Sequence, residues 1–135
     1  MDEFEVDRDA LVTAYLAEAE EVLARMELGL VELEGRPSDE ELLHALFREA
    51  HTLKGGATLV AFDGVRDLAH DLESVLERLR NHTLAIGSAL VTLLLRSVDV
   101  LRAAIADAAA GAAEPSAATR AFQAELAEVA GAAAP

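Results

Sequence analysis

Ser38-Asp-Glu-Glu-Leu-Leu-His-Ala-Leu-Phe-Arg-Glu-Ala-His-Thr-Leu-Lys-Gly-Gly-Ala-Thr-Leu-Val-Ala-Phe62 decides how the rest of the chain reads. Leu42, Leu46, Ala50, Leu53, Ala57 and Val60 recur every three or four residues, the period of one helix face. Ser38 followed by Glu41 fits a capping box, in which each side chain satisfies a free backbone N–H at the helix start. The opposite stripe is His44, Arg48, His51, Gly55 and Thr58. Two adjacent glycines, Gly55 and Gly56, fall inside this helix, and each costs about 0.8–1 kcal/mol relative to alanine. Ala57 and Val60 continue the apolar stripe beyond them, so the helix does not end there. Bare helix surface of this kind suits the close approach of another backbone or a bulky ligand.

Outward from this segment the chain carries four more helical stretches. The first is expected from Arg8 to Glu34, with Val12, Tyr15, Ala19, Val22, Met26, Leu30 and Leu33 on its apolar side. Gly35-Arg-Pro37 ends it, because proline disfavours helix in the residue before it. Asp63 is the expected N-cap of the third, whose stripe is Val65, Leu68, Leu72, Val75 and Leu79 and whose end falls at Arg80-Asn81. Ser88 is the expected cap of the fourth, with Leu90, Leu94, Val98, Leu101 and Ile105 buried. After a break at Gly111–Pro115, Ser116 caps a short fifth helix bearing Phe122, Leu126 and Val129.

Short loops between amphipathic helices imply antiparallel neighbours. The expected fold is therefore all-α: an up-down-up-down antiparallel four-helix bundle, with the short C-terminal helix outside it or across one end. The four faces leave no spare apolar stripe. Residues 1–131 read as one domain and 132–135 as the start of a linker, the Ala-Pro tail suggesting a piece of a longer chain.

Composition narrows the chemistry. The chain has 135 residues, enough for one modest core. It has no cysteine, which removes disulfides and thiolate metal sites and suits a cytoplasmic protein. The net charge of −14 repels nucleic acid phosphates and anionic lipid. The most apolar stretch, Ala89–Ala110, carries Arg96, Asp99, Arg102 and Asp107, which argues against membrane insertion. No two histidines have the i, i+4 spacing of a helical metal site, so no metal is expected. No glycine-rich nucleotide loop is present, so the chain is not expected to act as an enzyme alone.

What remains is one patch. His51 faces away from the core, Lys54 lies one turn on, and the glycine pair provides a flat floor. On the third helix the polar stripe is Arg66, His70, Glu73 and Glu77. If the second and third helices are antiparallel neighbours, His70 and Glu73 come near His51 and Lys54. A carboxylate accepting a hydrogen bond from one ring nitrogen leaves the other as a nucleophilic lone pair. Glu73 is the candidate for this role, acting on Nδ1 of His51 and leaving Nε2 free. His44 and His82 lack such company.

His51-Thr-Leu-Lys54-Gly55-Gly56-Ala resembles the histidine phosphotransfer (HPt) motif, and Leu68-Ala-His70-Asp-Leu-Glu73 resembles its form in chemotaxis histidine kinases of the CheA type. The first helix, with Tyr15-Leu-Ala-Glu-Ala-Glu-Glu-Val-Leu and Met26-Glu27, is similar to the opening of that family, as is Leu94-Leu95 followed by Asp99 and Leu101. The likeness spans roughly residues 10 to 108. One departure is Ala61 before Phe62, where the family often has glycine. The resemblance implies a phosphocarrier of two-component signalling. His51 would be phosphorylated, with Lys54, His70 and Glu73 in support and Arg48, Gly55, Gly56 and Thr58 at the partner-docking surface. It further implies two partners, the ATP-binding domain of a histidine kinase and the receiver domain of a response regulator. ATP and magnesium would be bound by the kinase domain and no cofactor by this one. A free-standing HPt protein and a helical interaction module without phosphate chemistry are the alternatives.

Overall fold

A computed structural model of the chain describes residues 3–131, with side chains from residue 7 onward. The proposed linker, 132–135, lies outside the described residues. Five helices follow one another: α1 (Glu3–Gly35), α2 (Glu40–Leu59), α3 (Asp63–Arg80), α4 (Ser88–Ala109) and α5 (Ala117–Ala130). Among the described residues there is no strand.

The contacts form a ring. Helix α1 packs on α2 and α4, and α3 packs on α2 and α4. The partners across α1 and α2 run in opposite directions: Arg8 Nη1 donates to the Val60 carbonyl, Tyr15 Oη to the Leu53 carbonyl, and Arg25 pairs with Glu49. The same holds across α2 and α3, where Phe47 meets Arg80 and Lys54 meets Glu73. Each helix turns its leucine-rich stripe inward. Leu30, Leu53, Leu68, Leu72, Leu94 and Leu101 are almost wholly buried, each worth about 1.5–3 kcal/mol of transfer free energy. Helix α5 lies along α3 and α4. It buries Phe122 and Leu126, Arg78 of α3 donates to the Val129 carbonyl near its end, and Gln123 donates to Asp71 at 3.4 Å.

Several helix ends differ from the sequence reading. Helix α1 starts at Glu3, earlier than the expected Arg8. The N-cap of α2 is Asp39, whose carboxylate accepts from the Leu42 N–H at 3.1 Å. The capping box at Ser38 is thus set aside: aspartate one residue on offers an ionised acceptor to the same free donors. Asp63 is the first residue of α3 and Phe62 its cap, with no side-chain hydrogen bond. Asp63 instead sits in the first turn, where the helix dipole favours an anion. Gly87, not Ser88, caps α4. Ser116 does cap α5, accepting from the Thr119 N–H at 3.1 Å. The surface of α1 also departs from expectation, since Leu28 and Val31, one turn apart, are 70% and 59% exposed.

Candidate functional site

The turn between α2 and α3 sets the site. Val60, Ala61 and Phe62 each return a backbone N–H to the last turn of α2, on Gly56, Thr58 and Ala57. Ala61 takes the left-handed φ of 61°, a conformation glycine adopts with less strain. A reversal this tight makes α2 and α3 antiparallel, and residues at similar distances from it face each other. His51 and Lys54 thereby meet Glu73.

Glu73 is the hub. Its Oε2 lies 2.6 Å from Nδ1 of His51, and its Oε1 accepts from Nζ of Lys54 at 2.7 Å. The Glu73 side chain is only 11% exposed, whereas that of His51 is 64% exposed. Burial pushes the Glu73 carboxyl up, but hydrogen bonds from Lys54 and His51, with their charges, outweigh it and hold the group below its ordinary 4.5. An ionised carboxylate has no proton to donate. The proton in the 2.6 Å contact is therefore on Nδ1, and in the neutral ring Nε2 carries the lone pair.

His70 stands at the edge of this group. Its Nδ1 is 3.9 Å from Glu73 Oε1, beyond hydrogen-bond reach, and its side chain is exposed. Lys54, Thr58, Arg66, Asp67 and His70 line a shallow recess beside the histidine. Arg48 is exposed on the same side of α2. The Thr58 hydroxyl is turned back onto its own helix, donating to the Lys54 carbonyl at 3.0 Å. His44 and His82 lie outside the cluster around Glu73.

The two glycines have different environments. At Gly55 an added Cβ would meet nothing within 4 Å. At Gly56 it would lie 2.5 Å from the Tyr15 ring. Gly56 is thus a packing glycine against α1, a constraint the expected docking floor did not include. The reason is helical geometry: adjacent residues point about 100° apart, so one of the pair faces outward and the other toward α1. Tyr15 was legible only as a core residue. Its ring fills the hollow at Gly56, and its buried hydroxyl donates to the Leu53 carbonyl at 3.0 Å.

Two neighbours of His51 escaped the sequence reading. Phe47, one turn before it, stacks with the imidazole, ring planes 17° apart and centroids 6.5 Å apart. The Arg80 guanidinium lies over the Phe47 ring, 4.7 Å from its centroid. The i, i+4 spacing of Phe47 and His51 was available as a signal. Nothing local pointed to Arg80, which reads as a helix end.

The described residues include no group of three or more His, Cys, Asp or Glu placed to hold a metal ion, and no helix long and apolar enough to cross a membrane.

Comparison with known proteins gives this geometry a context. A model of the Hpt domain family matches residues 10–132. A chemotaxis protein CheA of Treponema pallidum is 31% identical over 110 residues, covering 82% of this chain and 14% of that protein. The chain thus spans about one-seventh of the length of that relative. Among solved structures, the phosphorylated P1 domain of CheA3 in complex with CheY6 from R. sphaeroides aligns with a TM-score of 0.80 at 25% identity, covering 92% of this chain and 98% of that one. The CheA phosphotransferase domain from Thermotoga maritima aligns at 0.69 with 30% identity, covering 81% and 99%.

Proposed function

Because the chain belongs to the Hpt domain family, we propose that His51 is the residue through which it carries phosphoryl groups, taking one from the ATP-binding domain of a histidine kinase and giving it to a response-regulator aspartate. The observation that carries this reading is the Glu73 bridge: a buried carboxylate bonded at once to Nδ1 of an exposed histidine and to a lysine. The Nε2 lone pair attacks the γ-phosphorus, the bond from phosphorus to the β,γ-bridging oxygen breaks, and ADP leaves with that electron pair. The Nδ1 proton stays in its bond to Glu73, which stabilises the positive charge the ring gains. In the second step the aspartate oxygen attacks phosphorus, and the electron pair of the P–N bond returns to Nε2. ATP and magnesium are held by the kinase domain in this scheme, and this chain supplies the acceptor.

Lys54 keeps Glu73 ionised and in place, and its charge lies close enough to attract the incoming phosphoryl group. His70 is a nearby polar group without a direct bond to the bridge. Arg48, Gly55 and Thr58 lie on the exposed side of α2 and form the docking surface, with Gly55 as its open floor. In the wider architecture, α1–α4 make an antiparallel up-down bundle with α5 as a flanking helix; the contact ring and the opposed hydrogen-bond partners support this. The likeness to CheA chains favours a place within a CheA-like kinase of the cytoplasm over a free-standing carrier.

The test is phosphohistidine detection after incubation with a CheA-type kinase domain and ATP. Wild type and the His44→Gln and His82→Gln variants become labelled, and His51→Gln does not. Labelling of His51→Gln at the wild-type level would remove His51 from the scheme.

A further inference from the structure

Glu73 alone does not fix the imidazole of His51. One hydrogen bond to Nδ1 leaves the ring free to pivot about that contact, and the side chain is mostly in solvent. A further constraint comes from Phe47. It lies one turn earlier on α2, half-buried against the core, with its ring nearly parallel to the imidazole. Arg80, in the last turn of α3, covers the Phe47 ring with its guanidinium. Arg80 is in turn held by Glu77 through a 3.0 Å bond. Helix α3 therefore grips α2 twice, at Glu73 onto His51 and Lys54, and two turns later at Arg80 onto Phe47.

We infer that Phe47, backed by Arg80, is a positioning residue for the phosphoryl acceptor: it holds the imidazole plane while Glu73 holds Nδ1, so that Nε2 keeps one outward direction. The physical basis is that an aromatic pair in this range of separation is attractive beyond the area it buries, enough to bias a ring that has few other contacts. The Arg80 cation over the Phe47 ring adds to the hold on Phe47 itself. A reacting group loses rate steeply when its lone pair swings away from the line of attack. The inference rests on the reading of His51 as the acceptor.

The experiment uses the chain with potassium phosphoramidate, a phosphodonor that needs no kinase, and follows His51 by 15N NMR. In this reaction the Nε2–P bond forms as the P–N bond to the leaving ammonia breaks. Wild type becomes phosphorylated on His51 and shows the Nδ1–H tautomer. Phe47→Leu is phosphorylated about tenfold more slowly, less than the ~10²-fold of a fully misplaced group because Glu73 remains, and its tautomer signal shifts toward a mixture. Phe47→Tyr keeps the aromatic ring and restores both readouts. Arg80→Gln, which leaves the core untouched, gives an intermediate rate. Circular dichroism and thermal unfolding confirm the fold of each variant. If wild type takes no phosphoryl group on His51, the acceptor reading itself fails. If wild type reacts and folded Phe47→Leu and Arg80→Gln match it in rate and tautomer, the positioning role is overturned.

Discussion

At the scale of single residues, the bridging carboxylate couples three side chains. Lys54 and His51 bind the two oxygens of one group, so removing either changes the other's partner. Lys54→Ala and Glu73→Ala should therefore be strongly non-additive in phosphorylation rate: each slows the reaction by up to about 10²-fold, and the double variant is little worse than Glu73→Ala. A double variant that multiplies the two losses would show that lysine acts independently of the carboxylate. The same bridge has a signature in acid. Glu73 has its carboxyl held below 4.5 in the folded chain, so its contribution to stability is fully present above that value. It is lost as pH falls through the depressed folded value, where the carboxylate takes up a proton. The difference in unfolding free energy between wild type and Glu73→Gln should narrow as pH falls below 4.5, as denaturant titrations at successive acid pH values would reveal. A gap that widens in acid would contradict the assigned direction.

At the scale of elements, apolar periodicity made the helices legible, while their ends and one glycine were not. The stripes at Leu46, Ala50, Leu53 and Ala57, and at Val65, Leu68, Leu72 and Leu79, are buried as read, because burial follows the helical period directly. The caps slipped by one residue at Ser38, Asp63 and Ser88, because several nearby residues can cap and the winner depends on how the turn enters the helix. The patch of His51, Lys54 and Glu73 was readable from the polar stripes. The inward glycine was not, because the hollow at Gly56 is completed by Tyr15, distant in the sequence. The two glycines should accordingly respond in opposite ways. Gly55→Ala should stabilise by up to about 1 kcal/mol, since nothing opposes the new methyl and helix propensity improves. Gly56→Ala should destabilise by about 1–3 kcal/mol through overpacking against the tyrosine ring. Urea midpoints for the two variants decide this, and equal shifts would refute the division.

For the whole molecule, the dominant quantity is charge. A net −14 on 135 residues is self-repelling. The exposed ion pairs that oppose it, such as Arg25–Glu49 and Arg96–Glu125, contribute little, because water screens them and two long side chains must be held in place. Raising ionic strength from about 0.01 M to 0.15 M shortens the screening length from roughly 30 to 8 Å. The melting temperature should rise by a few degrees over that range, and a fall on adding salt would mean that the ion pairs outweigh the repulsion. The placement of α5 also belongs to this scale. Its apolar side was evident from Phe122 and Leu126, but whether it crossed an end or lay along a flank depended on Arg78 and Asp71, whose polar groups meet it on α3.

The Tyr15–Gly56 contact has a consequence for how this sequence can change over generations. A ring pressed into the space of a missing methyl makes two distant positions one heritable unit. A lineage that acquires a side chain at residue 56 while the tyrosine remains loses stability, and a smaller residue at 15 would open a void until residue 56 grew to fill it. The path between the two arrangements crosses a less stable intermediate in either order. Related chains that carry alanine at the position of Gly56 should therefore also carry a smaller side chain opposite it.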